Sequence, residues 1–234
     1  TAVDFLETLE MPAYKVASFE NTDHALLRKI ASTGKPVIMS TGMTTPQELD
    51  ESVAVLRDAG CAELILLKCT SAYPAPPDAI NLRAIPTIAE RYGVMAGLSD
   101  HTMGTAVSVS AVAMGAVFIE KHFTLDRADG GVDAAFSMEP AEMRALVRDT
   151  TLAWQAMGQS ALGRSKQEEG SLLFRRSLFI SRDVAAGEPL TTENVRAIRP
   201  GHGLPPKHLE EALGRVVNRD VPAGTPLSWD ILAD

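Results

Sequence analysis

The chain has 234 residues, 45% of them hydrophobic and 22% charged, which supplies a real core and excludes a disordered or collagen-like chain. A formal net charge of -8 argues against nucleic acid or an anionic membrane as the main partner, so an anionic substrate must be held by local cations. Two cysteines, Cys61 and Cys69, make no disulfide framework, and no leader pattern or run of about 18 apolar residues is present; the expectation is a soluble cytoplasmic protein.

In chain order, "TAVDFLETLEMPA" reads as an amphipathic helix, with Phe5, Leu6 and Leu9 at helical spacing and Pro12 stopping it. A fold that opens on a crossover helix without an initiator Met is expected to be a fragment. Short apolar runs then alternate with helical ones. The predicted strands are "YKVAS" (14–18), "PVIMST" (36–41), "ELILLKCTS" (63–71), "VMAGLS" (94–99) and "AVFIEKHF" (116–123). The predicted helices lie near 23–33, 46–59, 79–91, 104–115 and 140–157. "TTPQELDE" carries the clearest helix start: a Thr45 cap, Pro46 at the first helical position and Glu48 at capping-box spacing. Strands that are apolar throughout, separated by helices, indicate a parallel sheet covered on its outer face.

Five βα units suit an open doubly wound sheet or part of an eight-stranded barrel. Polar residues end every strand: Lys15, Ser18 and Glu20; Ser40 and Thr41; Lys68, Thr70 and Ser71; Ser99, Asp100 and His101; Glu120, Lys121 and His122. Barrels build their sites from many strand ends, whereas open sheets concentrate them at one switch point. No Gly-x-Gly-x-x-Gly follows a strand, which counts against a dinucleotide fold. The expected fold is therefore α/β, the C-terminal part of a (β/α)8 TIM barrel with about five of eight strands present. Expressed alone, such a piece is expected to expose its barrel edges and to aggregate or be inactive.

After Gly158 the texture becomes polar and rich in Gly and Ser, and then an internal repeat appears. "DVAAGEPLTTENV" (183–195) and "DVPAGTPLSWDIL" (220–232) share Asp-Val-x-Ala-Gly-x-Pro-Leu, which predicts a compact, pseudo-symmetric β-rich domain. The division is a partial barrel over 1–158, a linker over 159–170 and a small domain over 171–234.

His101 and His122 end consecutive parallel strands, which lie about 5 Å apart, so both imidazoles can reach one divalent ion, the alternative being a pair of hydrogen-bonded structural histidines. Two His ligands leave room for water and substrate oxygens, and the absence of a thiolate at either strand end favours Mn²⁺ or Mg²⁺ over a structural zinc. Lys15 with Ser18 and Ser40 can hold a phosphate, or be a rim lysine beside helix-capping serines. Glu20, two residues past Ser18, can serve as an acid or base, or be a plain loop glutamate. The paired glycines before Asp133 suit a tight turn over a substrate, or a simple hairpin. Cys69 is read as a packed thiol with no histidine partner inferred. Asp100 is left between orienting an imidazole and capping the next helix.

Taken together, "YKVASFE", "GKPVIMSTGM", "LLKCTSAYPAP", "GLSDHTMG" and "IEKHFTLDR…GGVD", followed by "FRRSLFI" and "IRPGHGL", resemble the sialic acid (nonulosonate) synthase family over essentially the whole chain. The resemblance implies a (β/α)8 barrel followed by an antifreeze-like SAF domain, and condensation of phosphoenolpyruvate with an acylated amino-sugar in its open-chain form. It implies His101 and His122 as metal ligands, Glu20 as acid/base, and Lys15, Ser18, Ser40, Ser71 and Ser99 as contacts to phosphoenolpyruvate; Ser71 stands where the family also uses asparagine. Tyr73 and Asp133 would be sugar-side contacts. Arg199 would reach the acyl group from the other protomer of a domain-exchanged homodimer. "ASFE", the "DGGVDAAFS" loop and "FRRSLFI" look most like the pseudaminic acid synthases, with N-acetylneuraminate and legionaminate synthases as alternatives.

Two rival readings follow from the residues. One is a Schiff-base barrel aldolase or lyase working through Lys15, Lys68 or Lys121. The other is non-catalytic, with the C-terminal repeat as a carbohydrate- or ice-binding module.

Overall fold

Five strands, β1 (Tyr14–Val16), β2 (Val37–Ser40), β3 (Leu64–Cys69), β4 (Met95–Asp100) and β5 (Ile119–Lys121), lie side by side in chain order as one parallel sheet. Helices α2 (His24–Ala31), α3 (Pro46–Asp58), α4 (Ala84–Tyr92) and α5 (Ala106–Ala113) connect them, and α6 (Pro140–Met157) follows β5. The arrangement is a half-barrel of βα units. This computed structural model describes residues 2–233, and the chain divides into two units between Gln159 and Ser160.

Period two along each strand decides which residues can take part in chemistry. Tyr14 and Val16, Val37 and Met39, Leu64 and Leu66, and Ala96 and Leu98 join one buried apolar cluster. That cluster also contains Leu27 and Ile30 of α2, Leu49, Val53 and Leu56 of α3, and Ile85 and Ile88 of α4. Strand residues between these positions point the other way. Lys15, Ser40, Cys69, Ser99 and Glu120 therefore share the face turned from the helices, and so, one position beyond β4 and β5, do His101 and His122.

Local chemistry sets the helix ends. Thr45 Oγ1 accepts from Glu48 N at 3.2 Å while Glu48 Oε2 accepts from Thr45 N at 2.8 Å, the reciprocal box expected at the start of α3. Helix α4 starts at Ala84 rather than near 79, because Pro77–Ala79 form a 3-10 turn and Asn81 takes φ 54°, outside the right-handed helical region. Gly104 at φ 74° likewise delays α5 to Ala106. Strand β5 is shorter than the expected 116–123, because Ala116 N is tied back to Ala111 O at the end of α5. The first helix, α1 (Ala2–Glu7), corrects the expected apolar stripe: Phe5 and Leu9 are exposed, and Val3 is the residue that enters the core.

In the second unit, β6 (Ser177–Ile180) and β7 (Val195–Ile198) form an antiparallel pair, and the stretch Lys166–Phe174, which overlaps the expected linker over 159–170, winds as 3-10 turns. The two repeat copies grip each other. Val184 and Val221 exchange both backbone hydrogen bonds, at 2.9 and 2.8 Å, while Asp183 Oδ1 accepts from Ala223 N and Asp220 Oδ1 from Ala186 N, both at 2.8 Å. Gly187 and Gly224 turn equivalent corners at φ 81° and 86°, and Leu190 and Leu227 fill the core at equivalent positions.

Candidate active site

His101 and His122 face each other across the ends of β4 and β5. The register pairs Ser99 with Glu120 and Asp100 with Lys121, so the next residues on each strand are neighbours. Their ring centroids are 5.2 Å apart at an interplanar angle of 59°. His101 is buried, and its Nδ1 donates to Thr70 O at 3.0 Å, which leaves Nε2 with its lone pair free to ligate. The Tyr73 ring lies 4.4 Å from His101 at an interplanar angle of 54°, and Phe136 lies 5.0 Å from His122. Asp133 Oδ2 approaches His122 Nδ1 at 3.5 Å.

Two facing imidazoles, one with its tautomer fixed, fit a divalent ion that takes its remaining ligands from water and substrate. Among the described residues, no group of three His, Cys, Asp or Glu side chains is arranged to hold a metal.

Cys69 corrects the reading of an isolated packed thiol. It is buried as expected, but its Sγ lies 3.9 Å from His101 Nδ1 and 3.9 Å from Ser71 Oγ. Burial pushes this thiol up, and the polar surroundings supplied by His101, Ser18 and Ser99 outweigh burial, bringing it down to about 7. His101 moves the opposite way: burial lowers it, but the Cys69 thiolate and the Thr70 carbonyl leave it above its ordinary value. His122 is lowered, first by burial and then by the neighbouring His101.

Beside the imidazoles runs a line of hydroxyls. Gly42 N donates to Ser18 Oγ at 3.0 Å, and a Cβ at Gly42 would run into both Ser71 Oγ and Ser18 Oγ. Two strand-end serines thus converge on one glycine. Lys15 Nζ donates to Ser40 Oγ at 2.9 Å and sits 3.6 Å from Glu120 Oε1, which accepts from Ser99 Oγ at 2.7 Å. Buried Asn21 fastens the β2 end from behind, donating from Nδ2 to Ser40 O at 3.2 Å, Gly42 O at 3.3 Å and Thr44 Oγ1 at 2.5 Å.

The structure thus groups His101, His122, Tyr73 and Asp133 in one cluster, and Lys15, Ser18, Ser40, Ser71 and Ser99 along the adjoining strand ends. Glu20 lies exposed in the turn after β1, where its backbone closes the turn to Ala17 and Asp23. Arg199 is in the second unit, exposed in a groove with Arg176.

Three residues of this region were not assigned from sequence. Glu120 and Asn21 are two: Glu120 has the same strand parity as His122, a signal period two could have given, whereas Asn21 acts through a loop that periodicity does not reach. Asp100, the third, turns from the imidazoles to the helix side, where it bonds Thr102, Ser108 and Lys121. Lys68 also shares that side, donating to Cys69 O and Thr70 Oγ1, and burial lowers its amine.

Comparison with known proteins follows this geometry. Residues 1–161 match the NeuB family and residues 175–233 match the SAF domain. The chain is 40% identical over 225 residues to a pseudaminic acid synthase of Campylobacter jejuni, covering 96% of this chain and 66% of that protein. It is 36% identical over 222 residues to an N,N'-diacetyllegionaminic acid synthase of the same species, covering 94% and 66%. The solved structure of the spore coat polysaccharide biosynthesis protein SpsE from Bacillus subtilis superposes with a TM-score of 0.63 at 29% identity, covering 99% of this chain and 70% of that one. The chain spans about two thirds of the length of the curated relatives it matches. It belongs to the NeuB family, with a half-barrel of five parallel strands followed by a SAF domain.

Proposed function

We propose that the protein condenses phosphoenolpyruvate with an open-chain 2,4-diacetamido-2,4,6-trideoxy hexose to give pseudaminic acid and phosphate. The observation that carries this reading is the pair His101–His122, 5.2 Å apart beside a lysine and four serines on the same strand ends, in a chain 40% identical to a pseudaminic acid synthase. Lys15, Ser18, Ser40, Ser71 and Ser99 bind the carboxylate and phosphate of phosphoenolpyruvate, offsetting their charge in a protein of net charge -8. Tyr73 and Asp133 line the sugar side. Arg199, supplied by the second protomer of a domain-exchanged homodimer, holds an acyl group of the acceptor.

The bond changes balance as follows. C3 of phosphoenolpyruvate bonds to the aldehyde carbon, whose oxygen becomes a hydroxyl, and C2 is left with oxocarbenium character. Water adds at C2, and the tetrahedral product expels phosphate by breaking the C2–O bond, leaving the α-keto acid. Glu20 moves a proton in the water-addition step. A divalent ion bound by His101 and His122, Mn²⁺ by first preference and Mg²⁺ as the alternative, supplies Lewis acidity for the aldehyde. The protein works in the cytoplasm under this reading. No helix among the described residues is long and apolar enough to cross a membrane.

A second acceptor class is favoured by the 36% identity to an N,N'-diacetyllegionaminic acid synthase, since acceptor choice rests on few contacts. The Schiff-base alternative is weakened by the lysines. Lys121 is buried in an ion pair on the helix face, Lys68 lies on that same face, and Lys15 is engaged by Ser40 and Glu120.

The full-length protein, given phosphoenolpyruvate, Mn²⁺ and a panel of amino-sugars, tests the reading. Phosphate release with the diacetamido-trideoxy sugar that yields pseudaminic acid supports it. Release only with a legionaminate or neuraminate precursor moves the protein to that acceptor, and borohydride trapping of substrate without metal dependence overturns the reaction class.

A further inference from the structure

We propose that Asp100 and Lys121 are positioning residues, a buried ionic brace that fixes the spacing and aim of His101 and His122. The two are register partners on β4 and β5, each one residue before a histidine. Because successive strand residues point to opposite faces, the ion pair lies behind the sheet while the imidazoles lie in front of it. Lys121 Nζ and Asp100 Oδ2 are 3.2 Å apart, with side chains 2% and 0% exposed.

The brace reaches beyond the pair. Asp100 Oδ1 accepts from Thr102 N and Thr102 Oγ1, both at 2.8 Å, and Oδ2 accepts from Ser108 Oγ on α5 at 2.6 Å. Lys121 Nζ also donates to Thr102 O at 2.5 Å and Gly104 O at 3.2 Å. One carboxylate and one ammonium therefore tie β5, the loop carrying His101 and the start of α5 to one another. An apolar pair of similar volume would serve stability as well, so stability alone does not account for burying two charges here. The directed bonds hold the ends of a three-residue strand that has a sheet neighbour only in β4 among the described residues. Catalytic geometry is sensitive to displacements of about 1 Å, and this brace is the element that prevents them at the second histidine.

The inference rests on the proposed metal reading only for its first readout. Mn²⁺ binding to the full-length protein is titrated by electron paramagnetic resonance for wild type, Asp100→Asn, Lys121→Met and Lys121→Arg, each checked for fold by thermal unfolding. Asp100→Asn and Lys121→Met are expected to weaken Mn²⁺ binding by about tenfold or more, while the KM for phosphoenolpyruvate changes by less than about threefold; Lys121→Arg is expected to stay near wild type. A folded Asp100→Asn or Lys121→Met protein that binds Mn²⁺ within about twofold of wild type overturns the inference. Should neither fold, Ser108→Ala removes a single anchor and is expected to weaken binding about threefold; unchanged affinity overturns it. Should wild-type Mn²⁺ binding survive His101→Ala, the metal reading fails by itself. The brace is then judged by a crystal structure of Asp100→Asn or, failing that, Ser108→Ala: a shift of about 1 Å in the imidazole separation supports it, and an unchanged 5.2 Å overturns it.

Discussion

Cys69 Sγ lies 3.9 Å from His101 Nδ1, so the two groups share a proton environment even though they come from different strands. The thiol falls to about 7 against the pull of burial, and the imidazole rises above its ordinary value. In the metal-free protein, Cys69→Ser is expected to lower the His101 titration, because burial then acts without the thiolate to offset it. An NMR titration of the His101 ring reads this directly, and an unchanged midpoint would show that the contact carries no charge coupling.

The same pair gives a stability profile with a defined sign. A thiol whose folded value is depressed from 9.0 to about 7 contributes stability that is fully present above pH 9 and lost as pH falls through about 7. Denaturant unfolding of the metal-free protein between pH 7 and 9 is expected to show stability rising more steeply for wild type than for Cys69→Ser.

A pH dependence of metal binding follows from the histidines. His101 is raised above its ordinary value by the Cys69 and Thr70 contacts, whereas His122 is lowered by burial and by His101. A metal must displace the His101 proton, so Mn²⁺ affinity is expected to increase with pH through the neutral range. Isothermal titration at several pH values checks the direction; affinity falling with rising pH would contradict it.

Gly42→Ala puts a methyl group against Ser18 Oγ and Ser71 Oγ, the side chains proposed to hold phosphoenolpyruvate. The expected result is a KM for phosphoenolpyruvate raised at least tenfold, with a stability loss of about 1–3 kcal/mol from the overpacked contact. A variant with normal KM would remove the Ser18–Ser71 pair from the binding role.

In the SAF domain, the reciprocal caps set a separate expectation. Asp183→Ala and Asp220→Ala each leave a backbone N–H without its carboxylate, at Ala223 and Ala186, and each is expected to cost about 1 kcal/mol. Equal losses in denaturant unfolding would follow from the pseudo-symmetry, and a large difference would show that the copies are not equivalent.

Much of this architecture was legible in the sequence because one physical signal, apolar runs in a βα rhythm, governs it. The five strands and the helix Pro140–Met157 follow that rhythm, and Thr45–Glu48 announces its own helix start. The two histidines were legible because equivalent ends of adjacent strands must be neighbours. What pattern alone did not reach depends on strand register and on contacts between loops. Asp100, between Ser99 and His101, turns to the opposite side by simple alternation, but its partners Lys121 and Ser108 come from other elements, and Cys69 meets its histidine only because β3 and β4 are aligned Cys69 to Ser99. Asn21 works from a turn, where no period applies.

The central claim is that His101 and His122 together hold the divalent ion on which the condensation depends. Phosphate release from phosphoenolpyruvate and the acceptor sugar, measured for full-length wild type, His101→Ala and His122→Ala with and without a chelator, tests it most directly. Chelation is expected to stop wild-type release reversibly, and each substitution to reduce release at least a thousandfold, about 4 kcal/mol, in a protein that still folds. Chelator-resistant release, or either variant working at near wild-type rate, would contradict it.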